Sequence, residues 1–203
     1  MKLLLATNNA HKAQEIREIL SGSFSDIMTM REAGIELEVE ENGTTFRENA
    51  LKKAVETLAF AGGRFDAVLA DDSGLCVDAL DSAPGVYSAR FSGEGHNDTA
   101  NNAKLIALLR DVPDDKRTAR FCCCVALART GMDPIAVQGE VEGTILHAAR
   151  GENGFGYDPF FYYAPFGKSF AELSAEEKNA VSHRRRALNL LREALDVENR
   201  SHI

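Results

Sequence analysis

Two adjacent carboxylates, Asp71 and Asp72, stand directly after the apolar residues 67–70 and before Ser73 and Gly74. The apolar run predicts a buried strand and the serine–glycine pair predicts a turn, so we expect both acids at the end of a strand. In α/β folds that edge of the sheet is where ligands bind. Neighbouring carboxylates repel each other unless a cation lies between them, and Mg²⁺ is held by one or two carboxylates together with phosphate oxygens. The segment therefore predicts a metal–phosphate site, and the alternative is a loop capped by its own side chains.

A second acidic pair, Glu40 and Glu41, follows a segment in which apolar and acidic residues alternate. Residues 35–39 read Ile-Glu-Leu-Glu-Val, the pattern of a strand with one face in water, and Gly43 signals a turn after them. If this strand lies near the strand of Asp72, several carboxylates converge. Such a convergence would make a metal site rather than scattered surface charge.

Two lysines are candidate phosphate ligands. Lys12 stands at the start of a predicted helix, and Lys53 lies beside the apolar face of a second one. Backbone N–H groups at a helix N-terminus attract phosphate, and a lysine there adds a positive charge. The loop before the first helix lacks the glycines of a P-loop, so a capped loop with a solvated Lys12 is the alternative. The loop and its lysine comprise Thr7, Asn8, Asn9, Ala10, His11 and Lys12.

An aromatic–glycine segment is the second stretch with unusual chemistry. Phe155 and Tyr157 alternate with Gly154 and Gly156 and are followed by Asp158. Glycine lets a flat ligand approach the backbone closely. Phe155 or Tyr157 could then stack on a nucleobase, an interaction of about 1–3 kcal/mol per base. The alternative is an aromatic turn that closes one end of the core.

A group of cationic residues precedes the apolar stripe of the last predicted helix. Ser174 and Glu177 form a capping box, and we expect one helix from there to about residue 197. Lys178, His183 and Arg184 lie in its first half. A run of arginines on a helix is usually a solvated face, and His183 is equally compatible with a partly buried structural histidine.

The elements that must position these residues follow from the apolar periodicity. Thr45 and Glu48 form a capping box at the start of the second helix, Gly62 ends it, and Asp98 is predicted to cap the third. Strands are predicted at residues 2–6, 35–39, 67–70, 119–128 and 135–142, and helices around residues 13–20, 46–61, 99–110 and 175–197.

Composition excludes several classes of function. The chain has 203 residues, 44% of them hydrophobic, which suits one large domain or two closely joined lobes. Its net charge of −8 argues against nucleic acid as a partner and against a polybasic membrane anchor. No apolar run approaches the ~20 residues of a membrane helix, and the N-terminal apolar stretch is too short for a signal peptide. We therefore expect a cytoplasmic protein with no membrane partner.

The four cysteines are predicted to be structural thiols. They are Cys76 and the consecutive residues 122–124. Neighbours on a strand point to opposite faces, so the run cannot chelate a metal as spaced Cys-x-x-Cys pairs do. A free cysteine behaves as a small hydrophobe, so we expect all four in the core.

Taken together, these segments resemble the inosine/xanthosine triphosphate pyrophosphatases, which remove deaminated purine nucleotides from the precursor pool. Each motif is weak alone, but the set follows the family's order and spacing from end to end. The matching segments are Thr7-Asn8-Asn9 with Lys12, Glu40-Glu41 before Thr45-Phe46, Glu48-Asn49-Ala50 with Lys53, residues 70–75, residues 84–90, residues 154–159 and Ser182-His183-Arg184.

The resemblance implies a fold, an activity and an assembly. The implied fold is an elongated mixed β-sheet flanked by helices, with two lobes around a central active-site cleft and one pyrophosphatase domain over residues 1–203. The implied reaction is hydrolysis of a non-canonical purine nucleoside triphosphate (ITP, dITP or XTP) to the monophosphate and pyrophosphate, with Mg²⁺ as cofactor. The implied assembly is a homodimer.

The resemblance also assigns roles to individual residues. Asp72 would be the proton acceptor and would bind Mg²⁺ with Glu40, while Ser73 would contact the substrate. Residues 7–12 and Lys53 would hold the triphosphate. The nucleoside would be received by Phe155, Gly156, Tyr157, Asp158, Lys178, His183 and Arg184. A donor such as Arg184 or His183 would be paired by the 6-carbonyl of hypoxanthine or xanthine and would face another donor on adenine.

Two rival interpretations stay open at this point. A Maf-like nucleotide pyrophosphatase would act on other nucleotides and should lack the Ser182-His183-Arg184 base site. A nucleotide-sensing module would bind without turnover, and Asp72→Asn would leave its function intact.

Overall fold

The computed structural model describes residues 1–20, 24–93, 95 and 97–200. The strands are β1 (Lys2–Leu5), β2 (Asp26–Thr29), β3 (Ala67–Val77), β4 (Thr118–Arg129), β5 (Ile135–Ile145), β6 (Phe161–Tyr163) and β7 (Lys168–Ser169). The α-helices are α1 (Ala10–Leu20), α2 (Phe46–Ala61), α3 (Asp98–Leu108), α4 (Ala175–Val181) and α5 (His183–Arg200).

The strands form one seven-stranded sheet in the order β2-β1-β3-β4-β5-β6-β7. β1 pairs in parallel with both β2 and β3, whereas β6 pairs antiparallel with both β5 and β7. Parallel neighbours need a crossover connection, and α1 and α2 occupy the connections from β1 to β2 and from β2 to β3. The predicted α/β fold, a mixed sheet flanked by helices, is confirmed.

The chain divides into two compact units. Unit 1 comprises Met1–Asp72, Cys123–Gly139 and Arg184–Ile203. Its core joins the apolar sides of β1, β3 and β4 to one face of α1 and one face of α5. The buried face of α1 is the predicted one, since its spacing of three and four residues gathers the apolar side chains on one side. That face consists of Ala13, Ile16, Ile19 and Leu20.

Unit 2 comprises Ser73–Cys122 and Glu140–His183, and aromatic rings fill its core. The ring centroid of Phe121 lies 4.6 Å from that of Phe161 and 5.8 Å from that of Phe170. Such rings bury large apolar areas, and aliphatic side chains of β3, α3 and β5 complete this core. Strands β3, β4 and β5 contribute residues to both units.

Strand β3 is longer than predicted, and the turn expected at Ser73 and Gly74 is wrong. Both residues continue the strand, which runs unbroken from Ala67 to Val77. Gly74 serves another purpose: a Cβ there would overlap the Ser88 hydroxyl and the Gly85 carbonyl. The glycine therefore permits a close approach of another backbone, one of the two meanings that a strand glycine can have.

The strand predicted at residues 35–39 is also wrong, because this segment has no sheet partner. Its side chains nonetheless alternate in burial, with Ile35 buried, Leu37 and Val39 half-buried, and the glutamates between them exposed. The alternating pattern thus correctly indicates that one side of the segment is buried, but it does not indicate whether the segment pairs with a sheet. The edge strand β2, which is only four residues long, was not predicted.

The last helix is broken in two, whereas one continuous helix was predicted. The capping box of Ser174 and Glu177 opens α4 as expected. Ser182 then adopts an extended conformation (φ −64°, ψ 155°), while its backbone N–H still donates to the Lys178 carbonyl, and α5 begins at His183. The periodicity of the two helices runs on across one extended residue, so the sequence pattern alone does not reveal the break.

The prediction for the cysteines is confirmed. All four lie within the described residues and are buried free thiols. No helix of the described part of the chain is both long enough and apolar enough to cross a bilayer.

Candidate active site

Asp71 is the centre of a charged cluster in unit 1. Its carboxylate is fully buried and lies 3.2 Å from Lys12 Nζ and 3.0 Å from a terminal guanidinium nitrogen of Arg184. Burial alone would raise the pKa of Asp71, but the charges of Lys12, Arg184 and Lys53 outweigh it and hold the pKa well below its usual range. Asp71 therefore stays ionised and orients cations that come from three different helices.

Arg184 is held from two sides. Its guanidinium, 1% exposed, donates from Nε and a terminal nitrogen to Asp71 and from the other terminal nitrogen to Glu15. Burial would lower the pKa of Arg184, but the charges of Asp71 and Glu15 raise it instead. The arginine is thus fixed at the start of α5 by one carboxylate from β3 and one from α1.

Lys53 reaches the same strand from α2. Its ammonium forms an ion pair with Glu41 and donates a 3.0 Å hydrogen bond to the Asp71 carbonyl. Burial would lower the pKa of Lys53, but Glu41, Asp71 and Asp72 raise it. Lys53 therefore stays charged in a site where carboxylates surround it.

Asp72 has a different environment from its neighbour. Consecutive residues of a strand project to opposite faces, so the carboxylates of Asp71 and Asp72 point into different surroundings. The Asp72 carboxylate, on a residue 5% exposed, accepts a 2.9 Å hydrogen bond from the Asn49 side chain. Burial raises the pKa of Asp72, and the charge of Glu41 adds to this against the lowering effect of Lys12. Asp72 is thus the carboxylate of the pair that is suited to accept a proton.

The charged cluster, as the term is used from here on, lies entirely within unit 1. It comprises Lys12, Glu15, Glu41, Asn49, Lys53, Asp71, Asp72 and Arg184.

The polar loop before α1 combines capping with exposed backbone. Thr7 Oγ1 accepts from the Asn9 N–H at 3.1 Å, and Asn9 Oδ1 accepts from the Lys12 N–H at 3.1 Å. The side chains of Asn8, Ala10 and His11 are exposed. The loop is therefore capped as the alternative interpretation expected, but Lys12 is paired with Asp71 rather than solvated.

Glu40 lies at the exposed edge of this region. Its backbone carbonyl accepts from Lys52 Nζ at 2.8 Å, and its carboxylate accepts from the Asn42 side chain at 3.4 Å. Its neighbour Glu41 is the carboxylate that pairs with Lys53 and raises the pKa of Asp72. The structure therefore brings Glu41 to the centre of the charged cluster and Glu40 to its rim.

The aromatic turn, residues 154–158, belongs to unit 2. The Asp158 carboxylate accepts from the Phe155 N–H at 2.9 Å and from Lys178 Nζ at 2.7 Å, and the Lys178 ammonium lies 4.6 Å from the centroid of the Phe155 ring. Both charged side chains are almost completely buried, at 7% exposure for Lys178 and 4% for Asp158. Gly154 has φ +74°, and a Cβ there would overlap the Asp158 carboxylate. Asp158 and Lys178 therefore shape the turn around the half-buried Phe155 ring.

Two residues predicted to contact the nucleoside lie largely inside the protein. Tyr157 is 5% exposed and donates a 2.8 Å hydrogen bond to the Ser88 carbonyl. Burial raises the pKa of its hydroxyl, which therefore remains a donor. His183 is also 5% exposed and stacks on Phe121 with 4.9 Å between the ring centroids. Ser73, the predicted substrate contact next to Asp72, is half-buried.

Three members of the charged cluster were not predicted as site residues: Glu15, Glu41 and Asn49. Glu15 follows Lys12 by three residues, a spacing that places both on one side of α1. Asn49 is a polar residue inside the apolar stripe of α2, where a buried side chain needs a polar partner. These two signals were readable from the sequence, whereas the choice between Glu40 and Glu41 depended on tertiary structure.

A profile of the Ham1 family matches residues 3–194. The chain is 50% identical to the dITP/XTP pyrophosphatase of Desulforamulus reducens over 203 residues, covering 100% of this chain and 98% of that one. It is 48% identical to the dITP/XTP pyrophosphatase of Salmonella typhimurium over 196 residues, covering 96% of this chain and 98% of that one.

Solved structures show the same fold. The Ham1 protein of Staphylococcus aureus superimposes with a TM-score of 0.84 at 40% identity, over 98% of this chain and 100% of that one. Identity of this extent along the whole length leaves no part of either unit without a counterpart in the relatives.

Proposed function

Because this chain belongs to the Ham1 family, we propose that it hydrolyses the non-canonical purine nucleoside triphosphates ITP, dITP and XTP to the monophosphate and pyrophosphate. The full-length identity to dITP/XTP pyrophosphatases supports the reaction and the substrate class. The observation within the structure that carries the proposal is the charged cluster, in which Asp72 is held by Asn49 while Lys12 and Lys53 both contact its neighbour Asp71.

The chemistry follows from the charges. Water attacks the α-phosphorus, its proton passes to a base, and pyrophosphate departs with the bridging oxygen. Asp72 is the base, because burial and Glu41 raise the pKa of its carboxyl and so increase its tendency to take a proton. Asn49 holds the Asp72 carboxylate in one orientation during this transfer.

The phosphates bind next to this base. Lys12, at the first turn of α1, and Lys53, on α2, supply positive charge where the leaving oxygen becomes negative. Each ammonium has three donors, so both lysines can keep their contacts to Asp71 and still bind a phosphate oxygen. The loop of residues 7–11, in which Asn8, Asn9, Ala10 and His11 are exposed, completes this phosphate site.

The donor set near Asp72 fits Mg²⁺. The side chains are carboxylates, and burial together with the charge of Glu41 raises the pKa of Asp72, an effect that a bound divalent cation would oppose. Asp72 and Glu40 would hold the ion, with Glu41 as a third nearby carboxylate. When bound, Mg²⁺ would neutralise charge on the phosphates. The described residues contain no preformed group of three or more His, Cys, Asp or Glu side chains able to hold a metal, so phosphate oxygens of the nucleotide would complete the ligand set.

The base site is proposed around the aromatic turn and residues 178–184. Phe155 stacks on the purine, and the donors are Lys178, whose ammonium lies 4.6 Å from the centroid of the Phe155 ring, together with His183 and Arg184, which the resemblance assigns to the same task. A donor directed at position 6 is satisfied by the carbonyl of hypoxanthine or xanthine and is left facing an amino group by adenine. A site built on hydrogen bonds can reject the wrong group by up to about 10⁴-fold. The single domain over residues 1–203 and the homodimer remain part of this proposal because of the resemblance, and the cytoplasmic location remains part of it because of the composition.

The decisive test is pyrophosphate release from ITP, dITP, XTP, GTP and ATP, each with Mg²⁺ and with a chelator. We expect rapid release from ITP, dITP and XTP, slow release from ATP, and loss of activity without the metal. Equal rates on ATP and ITP would contradict the base selectivity and favour the Maf-like alternative. Binding of ITP without any turnover would favour the nucleotide-sensing alternative.

A further inference from the structure

We propose that Asp98 and Asn102 on α3 are positioning residues that clamp Gly156 and thereby set the place of the Phe155 ring for recognition of the base. This inference rests on the proposed function. The clamp, the aromatic turn and α3 all lie within unit 2.

Two hydrogen bonds to side chains of α3 hold the backbone N–H and the backbone carbonyl of Gly156. The Gly156 N–H donates to Asp98 Oδ2 at 2.9 Å, and the Gly156 carbonyl accepts from the Asn102 side-chain amide at 2.9 Å. Asp98 and Asn102 are four residues apart on a helix, so they lie one above the other on the same face. Asp98 was predicted as the N-cap of α3, but Asn97 takes that role by accepting from the Ala100 N–H. The carboxylate of Asp98 is therefore available for the turn.

A flexible turn needs such a clamp. Gly154 and Gly156 have φ values of +74° and +62°, and glycine reaches many backbone conformations at similar energy. Within the turn, Asp158 fixes the N–H of Phe155. The peptide groups on either side of Gly156 are fixed from outside the turn, by α3. Both ends of the segment that carries the Phe155 ring are thereby held.

The same region links the turn to strand β3. The Ser88 hydroxyl accepts from the Leu75 N–H at 2.9 Å and donates to the Gly85 carbonyl at 2.6 Å. The Ser88 carbonyl accepts from the Tyr157 hydroxyl at 2.8 Å. Asn101 on α3 holds the same segment through the Ala89 carbonyl at 3.1 Å. Helix α3 therefore anchors both the aromatic turn and the 3₁₀ helix Gly85–Arg90 that touches β3 three residues beyond Asp72.

The proposal predicts a specific kinetic signature. Contacts to the base act in the ground state and in the transition state, so a misplaced Phe155 should raise KM for ITP and leave kcat nearly unchanged. Loss of one hydrogen bond of the clamp should raise KM about threefold to tenfold. The ratio of kcat/KM for ITP to that for ATP should fall by a similar factor. Partial unfolding would instead lower kcat for both nucleotides and leave KM and the ratio unchanged.

The experiment compares Asp98→Ala and Asn102→Ala with two controls. Asp98→Asn keeps an oxygen that can accept from the Gly156 N–H, so it should restore most of the wild-type KM. Thr99→Ala changes the exposed neighbour on α3 and should behave as wild type. Steady-state pyrophosphate release is measured with ITP and ATP over a range of concentrations, and the melting temperature is recorded for each variant.

The outcomes separate this inference from the function on which it rests. A raised KM and a lower ITP-to-ATP ratio in both alanine variants, reversed in Asp98→Asn, support the clamp. A selective wild type with alanine variants of unchanged KM and ratio overturns the clamp alone. A wild type that releases no pyrophosphate from any nucleotide overturns the proposed function and the clamp with it.

Discussion

The charged cluster of unit 1 and the aromatic turn of unit 2 reach a fixed geometry by different means. In the charged cluster, buried ion pairs join side chains of α1 and α5 to Asp71 on β3, and hydrogen bonds from Asn49 and Lys53 join α2 to the same strand. In the aromatic turn, backbone N–H groups donate to Asp98 and Asp158 and a backbone carbonyl accepts from Asn102, and these bonds hold a glycine-rich segment.

The difference matches the two tasks that the proposed reaction sets. Phosphoryl chemistry needs fixed charges around the reacting group, and charges hold one another in place only where water is excluded. Base selection needs a defined surface and hydrogen-bond pattern, which a clamped turn can provide. We therefore expect substitutions of Lys12, Lys53 and Asp72 in the charged cluster to affect all nucleotides equally, and substitutions in the aromatic turn to affect nucleotides according to their base.

The largest effect is expected from Asp72→Asn. Loss of the proton acceptor should lower kcat by about 10²–10⁴-fold. The fall should be the same for ITP, XTP and GTP, because the base site is untouched. Pyrophosphate release measures it, and Asp115→Asn, an exposed acid in unit 2, is the control. A fall that differed strongly between bases would contradict the division of tasks.

Asp71→Asn should destabilise the protein more than any change in the aromatic turn. It leaves Lys12 and Arg184 in a buried site without the carboxylate between them, and loss of one partner of a buried pair typically costs about 3–5 kcal/mol. The free energy of unfolding in urea measures this loss. Asp78→Asn, which removes a half-exposed carboxylate paired with Arg120, should cost about 1 kcal/mol or less. Similar losses in the two variants would show that Asp71 is not the centre of the cluster.

Gly154→Ala should disturb the aromatic turn, with Gly156→Ala as a matched control. Both residues have positive φ, so each substitution should carry a backbone penalty of about 1–3 kcal/mol. Only at position 154 would the new methyl group also overlap Asp158, whereas the space around position 156 is open. We therefore expect Gly154→Ala to raise KM for ITP clearly more than Gly156→Ala, in pyrophosphate-release assays. Equal increases in KM for the two variants would mean that the Asp158 side chain moves away from the new methyl group without disturbing the turn.

The smallest effect is expected from Tyr157→Phe. It removes only the hydroxyl that donates to the Ser88 carbonyl, so it should lower the free energy of unfolding by about 1 kcal/mol. Because Tyr157 is buried, kcat should stay unchanged, and KM for ITP should rise only slightly. Urea unfolding and steady-state kinetics measure both, with the exposed Tyr87→Phe as control. A large loss of turnover would show that the Tyr157 hydroxyl contacts the substrate.

Local signals in the sequence predicted much of the fold. The capping box of Thr45 and Glu48, the glycine cap at Gly62 and the apolar face of α1 each depend on residues within one or two turns. The errors arose where distant residues decide. Gly74 lies within a strand and allows Ser88 to approach closely, a contact between residues far apart in sequence. Residues 35–39 have the alternating pattern of a strand but are not part of one, and sheet pairing depends on residues outside the segment.

For the candidate site, the motifs predicted which residues take part but not which side chains contact each other. Asp72, Lys12, Lys53 and Arg184 were identified from their motifs. Their arrangement was not, because Lys12 and Arg184 are far apart in sequence and meet only at Asp71. Ion pairs across such distances leave no periodicity in the chain, so a motif can identify a participant without identifying its partner.

Because β3 runs without a break through Asp71 and Asp72, these two neighbouring acids have different environments. Their side chains are chemically identical, and burial raises the pKa of both, but the charges of Lys12, Arg184 and Lys53 bring the pKa of Asp71 below its usual value while that of Asp72 stays raised. Deleting a single residue from the segment 67–70 would place Asp72 at the strand position of Asp71 and Ser73 at that of Asp72. The environment of each acid therefore depends on the register of the strand. We expect a variant that keeps both acids but shifts this register by one residue to lose the proposed activity.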